Sequence, residues 1–257
     1  MFEIYASALL GLLGLSVVAW LISLVKKDVG IVDSFWSLFI LLAGLGFAAQ
    51  TEMTGFSVAC LSLGLLLVWG LRLCGYITWR NWGKDEDHRY AAIRSKYQPN
   101  FELKSLGIIF VFQALLAWVV AMPLVVLAQS SGPVSAWVWL GAAVVLFGII
   151  YETVADAQLA RFKANAKNKG KVMDQGLWRY SRHPNYFGEF CVWWGFYGMA
   201  FAVGGWWTVP SALLMSFLLL KFSGVALLDK AMVERKPKYA DYIKRTNAFF
   251  PGLPKGK

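Results

Sequence analysis

Charge is the scarcest commodity in this sequence. Asp, Glu, Lys and Arg make up 16% of its 257 residues, against about a quarter in soluble domains. Histidine occurs only as His88 and His183, which leaves no ligand set for zinc or haem. Cys60, Cys74 and Cys191 are far apart, in or beside apolar runs, so neither a disulfide nor a thiolate metal site is expected. No GxGxxG follows a strand-like run and no Walker sequence occurs, which excludes a Rossmann or P-loop nucleotide domain. No internal repeat of the kind that builds transporters is visible.

What is present is apolar length. The chain is 58% hydrophobic with a mean hydropathy of +0.53, and runs near 20 residues recur, each long enough to cross a bilayer as a helix. Spans are predicted at roughly 4–25, 31–50, 56–77, 106–128, 136–158, 186–203 and 207–228, followed by a tail at 229–257. This makes an all-α integral membrane protein of seven helices, with 1–257 as one membrane domain. The net charge of +10 would suit nucleic acid, but its distribution points to lipid. Apart from Arg72 and Lys221, all 25 Lys and Arg fall at 26–27, at 80–104, at 161–182 or in the tail, and the alternate loops hold none. By the positive-inside rule those basic segments are cytoplasmic and the amino terminus is outside. The first span is not a cleavable signal: acidic Glu3 precedes it and Lys26-Lys27 follow it. A bacterial inner membrane is the expected location, with the functional face in the cytoplasm.

The polar residues within the spans cluster at that cytoplasmic side, where their cost marks them as candidates. Asp33 opens helix 2. Arg72 and Tyr76 lie one turn apart near the end of helix 3. Glu152 and Asp156 share a face of helix 5 by their i, i+4 spacing. Glu189 lies in the first turn of helix 6, and Lys221 and Asp229 flank the inner end of helix 7. Any one of these could be a boundary residue reaching for water; short acids reach poorly, so the set together points to a polar cavity open to the cytoplasm.

The stretch Gly176–Glu189, GLWRYSRHPNYFGE, is the densest in information. Pro184 and Asn185 mark the turn into helix 6, with Asn185 as a candidate N-cap. A helix start beside Arg179, Arg182 and His183 suits an anion, whereas an interfacial basic and aromatic anchor accounts for Trp178 and Arg179 equally well. In the tail, Tyr239 and Tyr242 stand at i, i+3 near Arg235 and Arg245, either as an amphipathic interfacial helix or as a lid over the cavity.

The Gly176–Glu189 motif, the Asp156-x-Gln158 element, the Asn81-x-Gly83-Lys84 loop and the Tyr239/Tyr242 tail resemble the steroid 5α-reductase superfamily. The likeness is to its bacterial branch, related to sterol C14 reductases and isoprenylcysteine methyltransferases, and it extends over most of the chain. It implies a seven-helix fold that binds NADPH and reduces an activated C=C bond in a hydrophobic, steroid-like or other enone lipid. Under this resemblance Glu152 and Asp156 contact adenosine and ribose, while Asn81, Lys84, Arg179, Arg182, His183 and Asn185 surround phosphates and adenine. Tyr186, Glu189, Asp229, Arg235, Tyr239 and Tyr242 complete the walls, and Arg72, Arg89 and Trp178 join the cofactor set. The catalytic pair is Asp33 with Tyr76, acting as an oxyanion-type hydrogen-bond donor to the developing enolate. The tyrosine expected on helix 3 falls near Trp69-Gly70, and Tyr76 is the nearest phenol. The alternative is an S-adenosylmethionine-dependent lipid methyltransferase; those enzymes carry a Glu-Glu pair where this chain has Asp229-Lys230.

Overall fold

The computed structural model describes residues 1–51, 56–222, 225, 229, 232–233, 236 and 238–255. Among them all regular secondary structure is helical. The chain divides into two compact units, Met1–Ser135 with Ala200–Pro210 and Ala136–Met199 with Ser211–Lys257.

The first unit is built on α1 (Phe2–Lys26), α2 (Val32–Ala48) and α3 (Val58–Asn81). Asp28 accepts from the Gly30 amide to start the 3-10 turn that leads into α2, and Ser57 caps α3 by accepting from Cys60. Where α2 and α3 meet, the backbones approach closely because side chains are missing. A Cβ at Gly44 would fall 2.2 Å from Leu66, and one at Gly70 would fall 2.5 Å from Leu41. Small residues serve this purpose between membrane helices. A short amphipathic helix, α4 (His88–Lys96), follows α3 and is capped by Asp87.

The expected span 106–128 is longer and less regular than its apolar run suggests. It begins as α5 (Phe101–Ser105), widens into a π-helical stretch at Leu106–Val111, continues as α6 (Phe112–Val120) and ends as α7 (Met122–Ala128). Pro123 lies in the first turn of α7, the one place in a helix where its missing N–H costs nothing. Tyr5 of α1 and Trp118 of α6 stack at 4.4 Å and exchange hydrogen bonds of 2.9 Å to each other's carbonyls.

The second unit centres on α8 (Ala136–Ala164) and α9 (Pro184–Ala202), with α10 (Val209–Phe217, running on as a π-helical turn to Phe222) and α11 (Tyr239–Arg245). Glycines seven residues apart form the seam. A Cβ at Gly148 would lie 2.6 Å from the Gly188 carbonyl, one at Gly188 would lie 2.7 Å from Glu152, and one at Gly195 would lie 2.7 Å from Val145. The two helices therefore pack backbone to backbone.

Five helices are long and apolar enough to cross a membrane: Phe2–Lys26, Val29–Ala48, Val58–Asn81, Phe101–Val120 and Ala136–Ala164. Among the described residues, the segments expected at 186–203 and 207–228 are helical over 186–202 and 207–222, but neither is both as long and as apolar as those five. In α1 only 28% of the most apolar window is buried, so most of its apolar surface faces outward, as a lipid-facing helix requires.

Candidate functional site

Each unit carries one polar centre. In the first unit it is Asp33, in the opening turn of α2. Its Oδ1 accepts from the Tyr90 hydroxyl at 2.5 Å and its Oδ2 accepts from Arg89 Nη2 at 2.9 Å. Arg89 is held in turn by Asp87, the cap of α4, at 3.0 Å, and Gln113 Nε2 donates to the Tyr90 oxygen at 3.4 Å. Burial pushes the Tyr90 phenol well above its ordinary range, and the neighbouring Asp33 charge adds to this. The hydroxyl thus keeps its proton at neutral pH and remains a donor. Burial alone would lower the Arg89 guanidinium, but the charges of Asp33 and Asp87 more than reverse it.

The phenol that meets Asp33 is Tyr90, which the sequence did not single out. Tyr76 instead lies against two guanidiniums, Arg72 at 5.6 Å and Arg80 at 5.8 Å from its ring centre, while Asp33 meets the tyrosine of α4. Arg89, placed by sequence among cofactor ligands, is committed to Asp33. Asn81 Oδ1 accepts from Arg80 at 3.1 Å, and the Lys84 ammonium folds back onto the Arg80 carbonyl, closing the end of α3 with a cation that suits its dipole.

The second centre forms where the Gly176–Glu189 motif meets α8 and the tail. Gly176 adopts φ +58°, and a Cβ there would strike Gln158, whose Oε1 accepts from the Leu177 amide at 2.9 Å. The next turn is pinned by Trp178, whose indole donates to the Ala155 carbonyl at 3.0 Å. The chain then enters α9 with Pro184 as its first residue, the favoured position for proline. Asn185, expected as the cap, lies one residue inside. Its amide donates to Asp156 Oδ1 at 3.3 Å, while Gly188, one turn later, packs on Glu152. Glu152, Asp156 and Glu189 are all buried, and Trp193 donates to Glu189 at 3.0 Å.

Asp229 is the hub of the tail. It receives Arg182 Nη2 at 2.7 Å, the Tyr239 hydroxyl at 2.8 Å and His183 Nε2 at 3.1 Å. Burial would raise its carboxyl, but the bonds from His183, Arg182 and Tyr239 overcome that and hold it well below the carboxylate range. Burial raises the Tyr239 phenol, helped by the Asp229 charge. Arg182 is fully engaged: its Nη1 reaches the Ile243 and Thr246 carbonyls, and its backbone amide reaches the Asn247 carbonyl at 2.9 Å. Tyr242 donates to the Trp178 carbonyl, and Ser181 donates to the Phe249 carbonyl at 2.7 Å. The tail is therefore latched across the motif. His183 stacks on Tyr186 with ring centres 5.7 Å apart, and Arg179 stands exposed. Arg235, assigned to the cofactor set by sequence, lies outside the described residues.

Chemically, the motif supplies buried carboxylates one helical turn apart, suited to sugar hydroxyls, next to an amide and an exposed arginine suited to phosphate. This donor set fits a dinucleotide bound by α8 and α9. Arg182 is the exception, because a phosphate could recruit it only by displacing Asp229. No group of three or more His, Cys, Asp or Glu that could hold a metal occurs among the described residues.

Helices of this length and composition, in a chain all-helical among its described residues, are compatible with the integral-membrane class. Within that class the chain belongs to the family described as Protein of unknown function (DUF1295), whose profile matches residues 19–246. It is also similar to Uncharacterized protein C594.04c of Schizosaccharomyces pombe, 26% identical over 276 residues, covering 92% of this chain and 76% of the relative.

Proposed function

We propose that this protein is a membrane-embedded NADPH-dependent reductase of an activated C=C bond in a hydrophobic enone lipid. In this reading seven helices cross the bilayer, the amino terminus is outside, and the functional face is the cytoplasmic side of a bacterial inner membrane. The observation that carries it is the convergence of the motif on α8. Glu152 and Asp156 are buried where Asn185 and Gly188 of α9 reach them, an arrangement that anchoring at an interface does not require. When bound, NADPH would supply a hydride to the β-carbon of the enone, and a proton from water to the α-carbon would complete the reduction. The Tyr90 hydroxyl, whose one proton goes to Asp33 here, would turn that proton to the substrate carbonyl and stabilise the enolate that forms. Asp33, itself held by Arg89, positions that hydroxyl until substrate arrives. Glu152 and Asp156 accept from the adenosine and ribose hydroxyls, and Arg179 meets phosphate. With Asp229 already holding Arg182, His183 and Tyr239, little of its charge is left for a cationic sulfonium, which weighs against the methyltransferase reading.

The test is equilibrium binding of NADPH to the detergent-purified protein, paired with NADPH consumption driven by a total lipid extract. Asp156→Ala is expected to weaken NADPH binding at least tenfold while the helical circular-dichroism signal stays intact. Tyr90→Phe is expected to bind NADPH as the parent does and to lose turnover. Parental NADPH affinity in Asp156→Ala would remove α8 from the cofactor site.

A further inference from the structure

A shallow, open groove lies on the outer face of α3, lined by Cys74, Gly75, Thr78, Trp79 and Trp82. Its floor is bare helix, since nothing stands within 4 Å of where a Gly75 Cβ would project. Its walls are indoles: Trp79 is 65% and Trp82 73% exposed. Further along the same face Leu71 and Val68 are exposed too. Positions 68, 71, 75, 79 and 82 recur every three or four residues and so form one stripe. At 1.5 Å per residue that stripe is about 21 Å long, more than the roughly 15 Å of hydrocarbon in one leaflet.

The tryptophan end of the stripe meets cations. Lys26 Nζ, in the last turn of α1, lies 5.2 Å from the Trp82 ring centre, a distance at which ammonium and indole attract. Lys27 follows it, and Lys84 folds onto the adjacent end of α3. Two acids of the next loop face elsewhere, Glu86 being taken by Arg94 at 2.8 Å and by the Val29 amide and Asp87 by Arg89; Asp85 is exposed beside Lys84, and Asp28 lies within charge range of Lys26. An apolar furrow, indoles at its mouth and lysines beyond them follow the polarity of a phospholipid from acyl chain to phosphate.

We propose that this groove is a binding site for one anionic diacyl phospholipid. An acyl chain lies on the bare stretch of α3 around Gly75, the glycerol lies at Thr78 between the two indoles, and the phosphate is held by Lys26. The site stands apart from the reductase reading; of the residues assigned to the cofactor there, only Lys84 lies near it, and it makes none of the proposed lipid contacts.

Native mass spectrometry of the full chain, titrated with phosphatidylglycerol or phosphatidylcholine, tests it. The parent is expected to keep one phosphatidylglycerol at collision energies that strip phosphatidylcholine. Gly75→Leu, which fills the floor, is expected to lower that retention at least fivefold. Lys26→Gln should bring phosphatidylglycerol down to the phosphatidylcholine level without changing the latter. Equal retention of both lipids by the parent, or parental retention of phosphatidylglycerol by Lys26→Gln, would overturn the proposal. So would a lipid-independent dimer of the chain that Gly75→Leu dissociates, since the groove would then hold a second copy. Should Gly75→Leu fail to fold, the exposed Lys26→Gln decides alone.

Discussion

Asp229 shows how much one carboxylate can hold together when several donors converge on it. A buried acid costs stability unless it is paired and hydrogen-bonded. Here Arg182, His183 and Tyr239 all donate to it, so removing its charge leaves a buried guanidinium without its counter-charge. Asp229→Asn is expected to cost about 3 kcal/mol, read as a lower melting temperature in detergent. The pH dependence has a definite sign. Because folding holds this carboxyl below the value near 3.9 that an unfolded Asp has, its contribution is complete at neutral pH. It is lost as pH falls below about 4 toward the depressed folded value. The parent should therefore show an acid-side loss of melting temperature that Asp229→Asn lacks; matching acid profiles would show that the hub contributes no linked stability. The sequence marked Asp229, Arg182, His183 and Tyr239 individually, but not that they meet. Their partners lie tens of residues apart, and no periodicity records such a contact. Tyr90 was hidden for the same reason: 57 residues separate it from Asp33, and it sits in a short polar helix that reads as a loop.

The helices follow apolar length closely and irregular geometry poorly. α1, α2, α3 and α8 fall near the predicted spans because long apolar runs have no other way to satisfy their backbone in lipid. The break at α6 and α7 had a visible signal in Pro123, whereas the π-helical widening at Leu106–Val111 has none in composition. α9 begins at Pro184 rather than after Asn185, since proline's fixed φ suits the first helical position, and this frees the Asn185 amide for Asp156. The glycines of α8 and α9 make their own prediction. Gly148→Leu would drive a side chain into the Gly188 carbonyl and the Val192 amide, backbone atoms that cannot step aside. Overpacking of this kind costs about 1–3 kcal/mol or more, and it should also weaken NADPH binding by moving Asn185 from Asp156. Gly64→Leu, with nothing within 4 Å, is the control expected to melt with the parent. Equal melting of the two variants would refute the close seam.

At the scale of the molecule, composition decided the class and charge distribution suggested the sidedness. Scarce charge and recurrent apolar runs leave helices in a bilayer as the economical solution, and five helices meet the length and hydropathy for it. The remaining two expected crossings fall on α9, which carries the candidate residues Asn185 and Glu189 in its first turns, and on the shorter α10. That is why a hydropathy reading is least decisive where the candidate site is densest. On the proposed function, the motif, α8 and the tail hold a nicotinamide cofactor. Mass spectrometry of small molecules released from gently purified protein tests it most directly, with Asp156→Ala prepared in parallel. NADP(H) in the parent and its loss from the variant is the predicted result. S-adenosylmethionine or its demethylated product, in place of NADP(H), would contradict it and make the same residues a methyl-donor site.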